Sequence, residues 1–153
     1  MVPLARILLV EDDPADVQLI LAALREVHLA TQVFVVTDGV QALDYLHRRE
    51  TFRNRPPGHP AMVLLDIKLP RIDGLQVLRQ MRTDPALRLI PVVVLTSSRQ
   101  ERDLQQAYEL GVNGYMVKTI DPEAYYTNLR ALGHYWAVAN EPPSGSLRPP
   151  RLS

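Results

Sequence analysis

There is no cysteine in this chain of 153 residues. Disulfides, thiolate metal centres and a cysteine nucleophile are excluded together. The formal net charge is zero, with 17 basic and 17 acidic side chains, so no global field draws the protein to nucleic acid or to an anionic membrane. No run approaches the roughly 20 apolar residues of a membrane span. The apolar stretch after Met1 lacks the length and cleavage site of a signal peptide, and a cytoplasmic location is expected. Neither GxxxxGK(S/T) nor GxGxxG occurs, so Gly39, Gly74 and Gly111 read as turns and caps, not phosphate loops. Aromatics are few, 6% of the chain. They are also uneven: five of the six tyrosines and the one tryptophan follow Ala107.

What is present is one domain's worth of ordinary globular composition, 46% apolar and 22% charged. Short apolar runs alternate with amphipathic stretches. Strands are predicted over 4–10, 32–36, 61–65, 91–95 and 114–117. Helices are predicted after Asp13-Pro14 to about His28, after Thr37-Asp38-Gly39, around Leu75 to Met81 ending near Asp84-Pro85, around Leu104 to Tyr108 closed by Gly111, and after Asp121-Pro122 with Tyr125, Leu129, Leu132 and Trp136 on one stripe. Continuous apolar strands separated by amphipathic helices indicate a parallel sheet covered on both faces. Residues 48–60 carry three prolines and four arginines and read as a solvated loop. Residues 1–140 form the expected domain, and 141–153 read as a Pro/Ser/Arg-rich tail without its own core.

Several strands end directly in reactive side chains. Glu11 and Asp12 follow the first, Asp66 the third, Thr96 closes the fourth and Lys118 the fifth. In an open parallel sheet these ends share one edge, where ligand sites form. Carboxylates that converge there repel by about 4 kcal/mol per pair at ~4 Å and an effective dielectric near 20. A divalent cation relieves this, and an all-oxygen donor set suits Mg²⁺, with Mn²⁺ as a substitute. Asp66 is the candidate nucleophile toward a phosphoryl group, with Lys118 and Thr96 placed to meet its oxygens.

These motifs, LLVEDDP, LLDIKLPRIDG, VVVLTSS and GYMVK, resemble the receiver domain of two-component response regulators over about Leu4 to Val138. The resemblance implies a flavodoxin-like doubly wound sheet of order 2-1-3-4-5 with five helices. It implies Asp66 as phosphoacceptor, with a Mg²⁺ site made by Glu11, Asp12, Asp66 and the backbone carbonyl of Lys68. Thr96 and Lys118 would grip the phosphoryl group, and Thr96 with Tyr115 would form the switch, the ring turning inward as the threonine moves. The implied donor is a sensor histidine kinase. Output would pass to a downstream protein or a histidine phosphotransfer domain, with no nucleic acid or membrane involved. The EDDPAD opening, the proline-rich insertion and the aromatic last helix resemble single-domain regulators paired with bacterial phytochromes. The adjacent pairs Tyr125-Tyr126 and Tyr135-Trp136 cannot all face one core, so a homodimer through the fourth helix, fifth strand and fifth helix is expected.

Thr119 stands where this family usually carries a proline joined by a cis bond, which leaves either a trans bond with a rearranged loop or a strained cis bond. A haloacid-dehalogenase-type phosphohydrolase would need an aspartate two residues after the nucleophile, where this chain has Lys68. A mononucleotide binder would need a Ser/Thr/Gly-rich loop in place of Glu-Asp-Asp-Pro. An adaptor that works without phosphorylation is the remaining alternative. Lys68 itself is expected to affect the access of water to the phosphoryl group. Asp13 reads as a helix cap, and His28, His47, His59 and His134 as surface or packing residues.

Overall fold

The computed structural model describes residues 2–148. Five parallel strands, β1 (Ile7–Val10), β2 (Val33–Val36), β3 (Met62–Leu65), β4 (Val92–Thr96) and β5 (Gly114–Val117), lie in the order β2-β1-β3-β4-β5. The expected order is the order found. Register is continuous: Ile7 pairs with both Val33 and Met62, Val63 with Val92, and Thr96 with Val117. The carboxyl ends of β1, β3, β4 and β5 therefore share one edge.

Side chains alternate across the sheet, and each face has its own core. Leu8, Val10, Val63, Leu65, Val92 and Val94 pack with Leu43, Leu46, Val77, Leu78, Met81 and Ala107. These come from α2 (Gly39–His47), α3 (Gly74–Thr83) and α4 (Glu101–Glu109). Ile7, Leu9, Met62, Leu64, Val93 and Leu95 pack on the other face with Ile20, Leu24, Tyr125 and Leu129, from α1 (Pro14–Glu26) and α5 (Pro122–His134). Full burial of each such side chain contributes roughly 1.5–3 kcal/mol.

Helix starts follow the expected chemistry. Asp13 accepts from Ala15 N–H ahead of Pro14, and Asp121 from Glu123 N–H ahead of Pro122. Asp73 and Gln76 form a reciprocal capping box on α3. Gly111 leaves α4 at φ +83°, as a C-terminal cap requires.

Several details differ from the sequence reading, among them a first strand that starts at Ile7 rather than at Leu4. The first helix ends at Glu26, because His28 takes φ +62° and reverses the chain. Gln32 belongs to a 3-10 turn, and β2 starts at Val33. On α4 the buried residues are Asp103 and Ala107, while Leu104 and Tyr108 face outward. The largest departure is Arg55, read as part of a solvated loop. It is 1% exposed. Its guanidinium lies over the Tyr45 ring and donates to the carbonyls of Tyr45, Leu46, Pro56 and Gly58.

Residues 141–148 run along the same loop: His59 N–H donates to Gly145 O and Leu147 N–H to His59 O, at 2.9 and 2.7 Å. The rest of the tail, 149–153, lies outside the described residues.

Candidate functional site

Each strand end delivers its residue for a visible backbone reason. Glu11 N–H donates to Val36 O and Asp66 N–H to Val10 O, so the sheet ladder carries on one residue past each strand and fixes the two acids side by side. Behind Asp66 the chain turns tightly: Gly74 N–H donates to Ile67 O at 2.8 Å. A Cβ at position 74 would lie 2.1 Å from Asp66 O, so only glycine lets α3 start this close to the nucleophile candidate.

Carboxylate oxygens of Glu11, Asp12 and Asp66 lie within 4.8 Å of one another. Glu11 and Asp66 are buried and Asp12 is exposed. Glu11 Oε1 accepts from Asp13 N–H at 3.1 Å, and Asp66 Oδ1 accepts from Lys68 N–H at 3.3 Å. The donor set is all oxygen, partly open to water, and sized for one hard divalent ion.

Lys118 reaches into this group. Its Nζ lies 3.0 Å from Glu11 Oε2, 2.8 Å from Asp16 Oδ2 and 3.2 Å from Asp66 Oδ2. Burial pulls its ammonium pKa down, but the hydrogen bonds it donates to Asp16 and Glu11 and the charge of Asp66 outweigh it and hold the pKa above the usual lysine range. The Glu11 carboxyl is pushed up to about 7. Burial is the main cause; the Lys118 hydrogen bond opposes it and the Asp66 charge adds to it. One cation shared by three acids leaves the cleft with an excess of negative charge, the condition that favours a metal ion.

Thr96 is fully buried at the end of β4, and its Oγ1 accepts from Ser98 N–H at 3.2 Å. Tyr115, on β5, is half-buried and its hydroxyl donates to Ser98 O at 3.1 Å. Its ring already packs against the core, and burial pushes its phenol pKa up. Lys68 lies just beyond Asp66, with Nζ 3.9 Å from Asp103 Oδ2. The Lys118–Thr119 bond is trans, as are all others among the described residues. Lys118 still meets Asp66, with its N–H donating to Thr96 O at 2.8 Å.

Thus the structure brings Glu11, Asp12, Asp66 and Lys118 into one cleft and sets Thr96 and Lys68 on the same edge, while Tyr115 lies within β5 and reaches the β4–α4 loop through its hydroxyl. Sequence reasoning missed two residues. Asp16 is the shortest contact of Lys118; it stands in the first turn of α1, where an acid is common for the helix dipole alone, and nothing local marked its partner. Asp103, which accepts from Ser98 Oγ at 2.6 Å, resembled an ordinary first-turn acid of α4 and carried no distinguishing signal.

Comparison with known proteins agrees with this geometry. The family described as response regulator receiver domain matches residues 7–130. A probable methanogenesis regulatory protein, FilR2, of Methanothrix harundinacea is 39% identical over 90% of this chain and 86% of its own. The bacteriophytochrome response regulator RtBRR is 53% identical, with a TM-score of 0.73 over 94% of this chain and 86% of that one. The Mn²⁺-bound form of response regulator Rcp1, a protein of Synechocystis, is 34% identical, with a TM-score of 0.81 over 90% of this chain and 98% of that one.

Proposed function

The chain belongs to the response regulator receiver family, phosphoacceptors rather than turnover enzymes, and on that premise we propose that Asp66 takes a phosphoryl group from a phosphohistidine of a sensor histidine kinase. A carboxylate oxygen of Asp66 bonds to phosphorus as the phosphorus–nitrogen bond breaks. The imidazole keeps the electron pair and takes up a proton. The observation that carries the reading is the single ammonium of Lys118 held 3.2 Å from Asp66 beside the three-carboxylate cluster. Lys118 is placed to follow the charge from the carboxylate onto a phosphoryl oxygen, and Thr96 to donate its hydroxyl to another.

Glu11, Asp12, Asp66 and the Lys68 carbonyl would hold Mg²⁺, or Mn²⁺ as named for Rcp1. Such an ion supplies positive charge against the nucleophile and the phosphoryl oxygens. The likeness to RtBRR supports a bacterial phytochrome as the kinase. Residues 1–140 act as the receiver module in the cytoplasm, with 141–153 as an appended tail.

Output passes through protein contacts. Leu104 and Tyr108 on α4 and Tyr135 beyond α5 are exposed, Tyr108 by 54% and Tyr135 by 52%, and support a homodimer through α4, β5 and α5. Sedimentation showing only monomer at high concentration, with and without a phosphoryl analogue, would remove that dimer.

The test of phosphoacceptance is intact mass after incubation with acetyl phosphate and Mg²⁺. One phosphoryl group is gained by the wild type and none by Asp66→Asn or in the presence of chelator. An equal gain in Asp66→Asn would refute the assignment.

A further inference from the structure

The loop between β4 and α4 is organised around one serine. Ser98 N–H donates to Thr96 Oγ1 at 3.2 Å, and Ser98 O accepts from the Tyr115 hydroxyl at 3.1 Å. Ser98 Oγ donates to Asp103 Oδ2 at 2.6 Å while accepting from Gln100 N–H at 3.3 Å. Every polar atom of this residue is engaged, and its partners include both expected switch residues.

Asp103 anchors the arrangement. It is 4% exposed, and the Ser98 hydroxyl is its one hydrogen-bond donor among the described residues. The cation paired with it, Lys68 Nζ, stands off at 3.9 Å. A buried carboxylate with so little compensation is costly to the fold. The α4 N-terminus lacks a side-chain cap at Gln100, and Asp103 stands in its first turn, where the positive end of the helix favours an acid.

Two consequences follow. With a lone pair of Thr96 Oγ1 occupied by Ser98 N–H, the threonine's own hydrogen remains to donate elsewhere. Tyr115 is turned in, with its hydroxyl on the loop carbonyl and its ring against the core. We infer that Asp103 is a positioning residue for phosphoryl acceptance: through Ser98 it holds Thr96 as a donor and Tyr115 inward, in the geometry that receives a phosphoryl group. This rests on the reading of Asp66 as phosphoacceptor. A binding-competent state that is already populated needs no reorganisation on binding.

The test is calorimetric titration of the full chain with beryllofluoride in saturating Mg²⁺. Asp103→Ala and Ser98→Ala each weaken binding by about tenfold. The double variant is no weaker than either single by more than about twofold, because both break one linkage. Asp103→Asn keeps an acceptor oxygen and stays within about threefold of the wild type. Mg²⁺ affinity without beryllofluoride changes by less than about threefold throughout, since Asp103 lies outside the metal cluster. Ser98→Ala removes one hydroxyl from a half-exposed side chain, so it keeps the test decisive if Asp103→Ala misfolds.

Unchanged or tighter beryllofluoride binding in Ser98→Ala, or effects that multiply in the double variant, would overturn the inference. A wild type that binds no beryllofluoride would overturn the Asp66 reading and this inference with it. A wild type that binds, matched by its variants, would overturn the role of Asp103 alone.

Discussion

Removing the Arg55 guanidinium should destabilise the fold more than removing any other arginine in the loop of residues 48–60. Four carbonyls converge on it at 2.6–3.3 Å: Tyr45 and Leu46 in the last turn of α2, and Pro56 and Gly58 across the loop. The α2 carboxyl end favours a cation, and the guanidinium carbon stacks 4.7 Å from the centre of the Tyr45 ring. No carboxylate pairs with it among the described residues, so its burial is offset only by these hydrogen bonds and the ring. Truncation to alanine removes charge-assisted bonds of about 1.5–3 kcal/mol each and strands buried acceptors at about 1–3 kcal/mol each, against recovered desolvation. The balance is a loss of about 4 kcal/mol. For a domain of this size that lowers Tm by about 8–16 °C. Arg55→Lys keeps the charge but loses the planar fork, and should lose about half as much. Urea unfolding with an unchanged m-value is the assay. A loss below about 1 kcal/mol in Arg55→Ala would mean the side chain is hydrated and the loop open.

Two further predictions concern the cleft. Lys118→Met removes the cation that competes for the metal-binding carboxylates, so it should bind Mg²⁺ about tenfold more tightly yet bind beryllofluoride more weakly; parallel loss or gain of both affinities would contradict this. Glu11, raised to about 7 by burial, holds a proton in the metal-free folded state between about pH 4.5 and 7 that the unfolded chain has released. Its contribution to stability is full below about 4.5 and is lost as pH rises through 7, by about 3 kcal/mol at most. Mg²⁺ binding must expel that proton, so affinity falls by about tenfold from pH 8 to 6, with proton release visible in buffers of different ionisation enthalpy. A pH-independent Mg²⁺ affinity across that range would be inconsistent with a protonated Glu11.

The sheet and most of the cleft were legible in the chain because β1, β3 and β5 each run without interruption into a candidate site residue. Val10 leads to Glu11 and Asp12, Leu65 to Asp66, and Val117 to Lys118, and a parallel sheet leaves those ends at one edge. What was illegible depends on tertiary packing of polar residues. Arg55 sits among prolines and arginines that suggest solvent, and only the carbonyls at the end of α2 make it a core residue. Asp16 and Asp103 occupy first-turn helix positions where acids are common for the helix dipole alone. Their partners, Lys118 and Ser98, are fixed by the folded arrangement rather than by local pattern. Tyr115 was legible as a strand aromatic beside the cleft, but its partner, the Ser98 carbonyl, is set by the fold of the β4–α4 loop.

The most direct test of Asp66 as acceptor is chemical trapping. Borohydride reduces an acyl phosphate on an aspartate to homoserine. After treatment with acetyl phosphate and Mg²⁺, peptide mapping should find homoserine at position 66 and at no other aspartate. Homoserine at Asp12 or Asp16 instead, or unmodified Asp66 in protein that has gained a phosphoryl group, would contradict the account.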